Sequence, residues 1–193
     1  ALMEANDPAG SGRACRSGLA RFENSPEPLV AERVLKNTLL APPEKELLDR
    51  VAPLAATLAK SLAKSEATSY ERQELGWRCL SLSLFEYRRG QAAEALKWAT
   101  KCLNEGGGNP ARTATARLIM AMAYTQLGEL GEARAELDQC RETLETRARR
   151  GWEAGNAAQG FWFDWVAARI LMREASAVVG ETPHSLRRMI SEP

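Results

Sequence analysis

A chain of 193 residues is long enough for one domain with a substantial core. Its formal net charge of +1, with 26% charged and 45% hydrophobic residues, supplies no global field that would draw it to nucleic acid or an anionic membrane. No run approaches the roughly 18 apolar residues of a membrane span, and the start lacks the basic-then-apolar pattern of a signal peptide. Cys15, Cys79, Cys102 and Cys140 form no CxxC pair, which suits buried free thiols in a cytoplasmic protein.

In chain order, residues 1–12 are small and polar with Gly and Pro, and read as a linker. Arg13 to Phe22 reads as a short helix with Cys15, Leu19 and Phe22 on one side. Ser25-Pro26-Glu27-Pro28 opens a helix over Leu29 to Leu40, which Pro42-Pro43 stops. Lys45 to Ala63 carries the apolar stripe Leu47, Leu48, Val51, Leu54, Leu58 and Leu62, with Ala52, Ala55, Ala56 and Ala59 beside it. Pro53 falls inside that pattern and is expected to kink the helix or shift its start. Thr68 with Glu71 makes a capping box for a helix reaching about Arg89, and its partner runs from Ala92 to Asn104. Gly106-Gly107-Gly108 breaks the chain before Asn109-Pro110 restarts it as N-cap and first helical residue. Ala111 to Leu127 and Leu130 to about Arg149 form a further hairpin. After the connection Gly151 to Gly160, the helix Phe161 to Val179 is apolar nearly all round and ends at Gly180.

The same pattern occurs twice between Leu80 and Cys140. Gly90 and Gly128 lie 38 residues apart; alanine follows each at plus five (Ala95, Ala133) and cysteine at plus twelve (Cys102, Cys140). Small residues precede each glycine by seven, at Ser83 and Ala121. Antiparallel helices in close contact need small side chains where they cross, and a residue tolerant of positive φ where the first one stops. The plus-five alanines and the glycines meet those needs. This arrangement resembles the tetratricopeptide repeat, with Cys79 and Arg117 in place of the early tryptophan and no late proline. In the first copy the tyrosine, Tyr87, also stands one place late.

The resemblance implies an all-α fold of antiparallel hairpins stacked as a right-handed superhelix, an alpha-alpha solenoid. Residues 1–27 are then a linker with the remnant helix of a preceding repeat, and 28–179 the repeat domain. Its hairpins fall at about 29–63, 69–104 and 110–149, with a capping helix at 161–179 and a tail at 180–193. The first short helix lacks a partner before it, so the chain reads as cut from something longer.

A second resemblance rests on three runs. These are Ala31-Glu32-Arg33-Val34-Leu35-Lys36 with Leu39-Leu40, Glu86-Tyr87-Arg88-Arg89-Gly90, and Gly160-Phe161-Trp162-Phe163-Asp164-Trp165 with Ala168-Arg169. They are similar to the C-terminal repeat region of large bacterial serine/threonine protein kinases, over roughly Cys15 to Val179. The Gly-rich loop, His-Arg-Asp loop and Asp-Phe-Gly motif of kinase chemistry are not in the sequence. The resemblance therefore implies a sensing, scaffolding or recruiting region of a signalling protein, not an enzyme.

Individual residues add little chemistry. The Gly106–Gly108 run lacks the Lys-Ser/Thr of a phosphate loop and reads as a loop. His184, the only histidine, has nothing in the sequence to orient it as a catalyst or metal ligand. Asp164 lies in a first helical turn among aromatics, where a structural role at the helix start outweighs a reactive one. Arg141, Arg147, Arg149 and Arg150 complement a helix C-terminus, so a solvated helix end outweighs the alternative of a site for an acidic partner, and Arg187-Arg188 adds little.

The serious candidate is the concave face, formed by the first helices of successive hairpins. It is expected to carry Trp77, Leu80, Leu84, Tyr87 and Arg88, then Thr115, Leu118, Met122, Thr125 and Gln126. The expected partner is a protein peptide or helix bound in that groove, with no cofactor, no nucleic acid and no membrane insertion. The alternative is a structural element whose end helices bury themselves against the rest of a longer chain or a second copy, a homo-oligomer.

Overall fold

The computed structural model describes residues 7–63, 69–105, 108–151, 156 and 159–180. Within them every regular element is a helix: α1 Pro8–Phe22, α2 Pro28–Leu39, α3 Lys45–Leu62, α4 Ser69–Arg88, α5 Ala92–Glu105, α6 Pro110–Leu127, α7 Leu130–Arg149 and α8 Trp162–Val179. The fold is all-α. The Thr68–Glu71 capping box, Gly106-Gly107 and the tail with His184 and Arg187-Arg188 lie outside what is described.

Helix starts follow the capping chemistry in the sequence. Asn109 accepts a hydrogen bond from the Arg112 N–H at 3.0 Å, and Pro110, which has no N–H to leave unsatisfied, takes the first helical position. The same pairing opens α1. Asp7 Oδ1 accepts from the Gly10 N–H at 2.7 Å and Pro8 follows it, so the helix begins five residues before the expected Arg13. The Asp-Pro cap overrides the Gly and Ser residues that had suggested a linker there. In α3 the helix continues through Pro53, whose side chain faces solvent. The Asp49 carbonyl that this proline leaves without a donor lies on the same side, within reach of water.

The repeated pattern is reproduced bond for bond. At the end of α4, Gly90 has φ 74° and donates to the Tyr87 carbonyl at 2.9 Å, while Gln91 donates to Glu86 at 2.9 Å. At the end of α6, Gly128 has φ 81° and donates to Thr125 at 3.1 Å, while Glu129 donates to Tyr124 at 2.9 Å. Both are left-handed glycine caps that satisfy otherwise orphaned helix-end carbonyls. Ala95 and Ala133 then have no accessible surface. At the first crossing Ser83 Oγ donates to the Ala95 carbonyl at 2.8 Å, so this buried hydroxyl is satisfied.

The helices pair in sequence, α2 with α3, α4 with α5 and α6 with α7. The first helix of each pair also packs on the next, α2 on α4, α4 on α6 and α6 on α8, while α3, α5 and α7 lie against α4, α6 and α8 in turn. Helix α1 packs on α2. The core runs through these contacts from Leu19 and Leu35 through Leu80, Leu118 and Met122 to Leu171.

One glycine opens space for a buried charge. A Cβ added at Gly76 would stand 2.8 Å from Arg112 Cζ, and Arg112 is only 2% exposed. Its guanidinium lies 5.4 Å from the centre of the Trp77 ring, so it cannot swing freely away. Gly76→Ala is therefore expected to destabilise the fold by about 1–3 kcal/mol through overpacking. In an Arg112→Leu background the cost should largely vanish. A double-mutant cycle in urea denaturation measures this; equal costs in both backgrounds would show that the two residues do not compete for space.

Candidate functional site

The ten residues expected on an open concave face divide into two groups. Leu80, Leu84, Tyr87, Thr115, Leu118 and Met122 are buried. The cause is the lateral packing of α2 on α4 and of α8 on α6, which covers the face these side chains occupy. They are corrected from groove lining to interhelical core. Among the others, Trp77 is half-buried, with Lys36 Nζ 4.3 Å from its ring centre. Thr125 bonds to the Ala121 carbonyl of its own helix at 2.9 Å, and Gln126 is exposed.

Arg88 is neither core nor free surface. Its Nε donates to the Leu39 carbonyl at 3.0 Å and one Nη to the Leu40 carbonyl at 3.3 Å, at the end of α2. The guanidinium also forms a two-pronged ion pair with Glu174 of α8, one arm at 2.7 Å. The Tyr87 hydroxyl lies close enough to the same carboxylate for its charge to act on it. Burial, with the Glu174 charge next, pushes the Tyr87 hydroxyl up to about 12, so it stays a donor. Two residues predicted to greet a partner therefore hold α8 instead.

An open concavity lies beside this clamp. A cleft of about 800 Å³ is walled by α1, by the α2–α3 turn with the first turns of α3, and by α8. Leu40, Leu47, Pro42, Pro43 and Ile170 give it apolar surface, while Arg16 and Arg173 face it from α1 and α8, and Glu44 and Glu46 from the α3 start. Glu174 is held there by Arg88, and Arg50 by Glu23 at 2.7 Å. Cys15 stands in the α1 wall, its Sγ 3.6 Å from the Asn37 carbonyl, and burial raises its thiol pKa above the ordinary value. Cys79, Cys102 and Cys140 are buried free thiols, the last two pushed up to about 12 chiefly by burial.

A second cluster of charge is internal. Glu32, 4% exposed, accepts from Ser81 Oγ at 3.1 Å and pairs with Lys36 at 2.9 Å. Asp164 is buried nearby and accepts from the Phe161 N–H at 3.0 Å, as a residue in the first turn of α8 should. Burial raises its carboxyl pKa; the Lys36 charge, the Phe161 N–H and the Arg112 charge pull it back, while Glu32 pushes it further up. These are structural duties. Sequence reading missed Arg112 and Glu32 as interior groups; a glycine at position 76, mid-helix beside a predicted hairpin partner, was the available signal for the former.

Among the described residues no three His, Cys, Asp or Glu side chains are grouped to hold a metal, and no helix is long and apolar enough to cross a membrane. No protein-family model, curated protein or solved structure matches the chain.

Two outcomes follow from the clamp and the cap. Arg88→Ala leaves Glu174 uncompensated and uncaps two carbonyls, and is expected to cost about 3 kcal/mol in urea denaturation, against about 1 kcal/mol for Tyr87→Phe. Near-equal small losses would remove the clamp from the fold's essential contacts. For Asp164, a folded-state pKa raised above the unfolded one means that its contribution is present below the unfolded carboxyl value and lost as pH rises through the folded value. Asp164→Asn can keep the bond to Phe161 without titrating. The variant should gain stability relative to the native chain as pH rises through the acidic range, and parallel stability–pH curves would contradict this.

Proposed function

We propose that the chain is a non-catalytic protein-interaction module of tetratricopeptide-like solenoid architecture, which receives a peptide or helix of a partner protein in the cleft between α1 and α8. The observation that carries this reading is the cleft itself. Two of its walls come from the helices at either end of the array and the third from the α2–α3 turn, and its apolar surface is rimmed by charges of both signs. A surface of that kind suits an amphipathic segment, with apolar anchors below and charged contacts above. The binding face assigned from the sequence thus moves from the middle of the first-helix row to its ends, because α8 covers the middle. The repeated glycine caps and crossing alanines support the solenoid assignment. The similarity of the three sequence runs to kinase-associated repeats suggests a recruiting role within a larger signalling protein.

A structural role, in which end helices bury themselves against another copy or the rest of a longer chain, has its own support. Phe22, Phe161, Trp162 and Phe163 are exposed on α1, at the N-cap of α8 and in its first turn.

Cys15 offers a direct readout, because it is the one cysteine of the four that is not buried. Its thiol should react with an aromatic disulfide reagent in the native chain above the ordinary thiol value of 9.0. Proteins retained from a cell extract by the native chain should slow that reaction about tenfold or more when bound, and should be lost from an Asn37→Trp variant that fills the exposed rim. Retention without Cys15 protection, unaffected by Asn37→Trp, would place the binding face elsewhere.

A further inference from the structure

The first turn of α8 displays three consecutive aromatic side chains outward. Phe161, Trp162 and Phe163 are 42%, 52% and 52% exposed. Their rings touch one another: Phe161 and Phe163 stack at 5.3 Å, and Trp162 meets Phe163 edge-on at 5.7 Å. Isolated exposed apolar residues need no explanation, but a contiguous aromatic group does.

The backbone holds these rings outward. On one side Gly160 is buried at φ +88°, where an added Cβ would stand 2.5 Å from Ala111 Cβ and 3.2 Å from Trp165 Nε1. On the other, Asp164 and Trp165 are buried, and the Asp164 carboxylate holds the Phe161 N–H. The segment 160–165 is therefore fixed at both ends, so the rings cannot turn inward without dismantling the helix start. An exposed platform pinned in this way loses little conformational freedom when something covers it.

Charge lies at the same end of the molecule. Arg147 Cζ sits 5.3 Å from the centre of the Trp165 ring, which places the last turn of α7 beside the first turn of α8. Beyond it Arg149 and Arg150 are exposed, and neither forms an ion pair with a described residue. Arg149 Nη2 donates only to the Thr146 hydroxyl, at 3.2 Å. Glu145 and Glu142, one and two turns earlier and also exposed, lie further from this end of α7 than the two arginines.

We infer that the aromatic platform of Phe161, Trp162 and Phe163, together with Arg149 and Arg150 on the adjoining end of α7, is a second docking surface, and that its occupant is an acidic protein segment with apolar anchors. Trp and Arg are the residue types most enriched among those that dominate interface energies, and the arginine pair selects the sign of the partner's charge. Two other occupants fit less well. A second copy docked by two-fold symmetry would bring the arginine pairs of both copies to one interface, where they repel. An anionic membrane surface generally requires a cluster of about four to eight basic residues beside the apolar group, and two are exposed here. The surface stands apart from the α1–α8 cleft, so it does not depend on the function proposed above.

The test uses the full chain and fluorescein-labelled peptides in which leucine and phenylalanine alternate with glutamate, or with lysine in a matched control. Anisotropy should show binding of the glutamate peptide that is at least about tenfold tighter than that of the lysine control and weakens with added salt. Trp162→Ser/Phe163→Ser should reduce it about tenfold or more, and Arg149→Glu/Arg150→Glu should reverse the preference between the two peptides. Circular dichroism confirms that both variants keep their helix content, since all four positions are exposed. Equal binding of both peptides, no binding, or binding indifferent to either variant would overturn the inference. So would association with phosphatidylglycerol vesicles, or a dimer in sedimentation equilibrium, that the aromatic variant abolishes while peptide binding stays absent.

Discussion

The Arg88 guanidinium is the contact on which the relation between the first hairpin and α8 depends, and the reason lies in the residues that follow α2. A helix end needs donors for its last carbonyls. At the ends of α4 and α6 these come from the backbone, through Gly90 with Gln91 and Gly128 with Glu129. After α2 the corresponding position is Pro42, which has no N–H to give. Arg88 reaches across from α4 and donates to two other carbonyls at that end, those of Leu39 and Leu40. A cation at that position also complements the helix dipole. The remaining capacity of the guanidinium is taken by Glu174, which brings α8 to the same point. The Pro42-Pro43 turn, Arg88 and Glu174 thus act together, and since the turn and Glu174 both border the cleft, their joint position sets one side of it.

The helices and both glycine turns were legible in the sequence because each rests on a local rule, whereas the start of α1 was not, since the Asp7-Pro8 cap lies in a stretch read as a linker. Asn109-Pro110, Gly90, Gly128 and Gly180 carry their conformation within a few residues, and the 38-residue register of the alanines and cysteines shows which helices cross. The location of an open surface was not legible, for a physical reason. Leu84 and Met122 satisfy the criteria for a binding face and for a core equally well, and what distinguishes them is whether another helix arrives. Helix α8 does arrive, from 52 residues further on than α6 (162 − 110), and its apolar circumference was the available sign that it would need cover on several sides. Tyr87 and Arg88 misled for the same reason: groups well suited to bind a foreign segment also suit binding a segment of their own chain.

Helix α8 shows how one element can be both committed and available. Trp165, Ala168, Leu171, Met172 and Ala175 are buried, and Glu174 is tied to Arg88. Its first turn differs. Gly160 fits closely against the start of α6, and Asp164 caps the helix, so the intervening aromatics are held where the core cannot accommodate them. Burying them would require a different helix start, with loss of the Phe161 N–H bond and of the Trp165 packing. Their exposure is therefore a consequence of how the helix is anchored.

The interior charges bear on why the helices adopt this lateral order. Glu32 and Lys36 from α2, Ser81 from α4, Arg112 from α6 and Asp164 from α8 gather around Trp77, a costly arrangement compared with apolar packing of the same volume. The Glu32–Lys36 pair lies within α2, but Ser81 of α4 donates to Glu32, and Lys36 of α2 and Arg112 of α6 act on Asp164 of α8. A slip of one helix along its neighbour would break these cross-helix contacts, at a cost of about 3–5 kcal/mol wherever it leaves a buried charge unpaired. Leucine and alanine surfaces alone discriminate weakly between such registers, because one apolar contact replaces another. The polar cluster makes the correct register the one in which every charge is answered, and it does so along the α2–α4–α6–α8 row that positions both the Arg88 clamp and the outward face of α8.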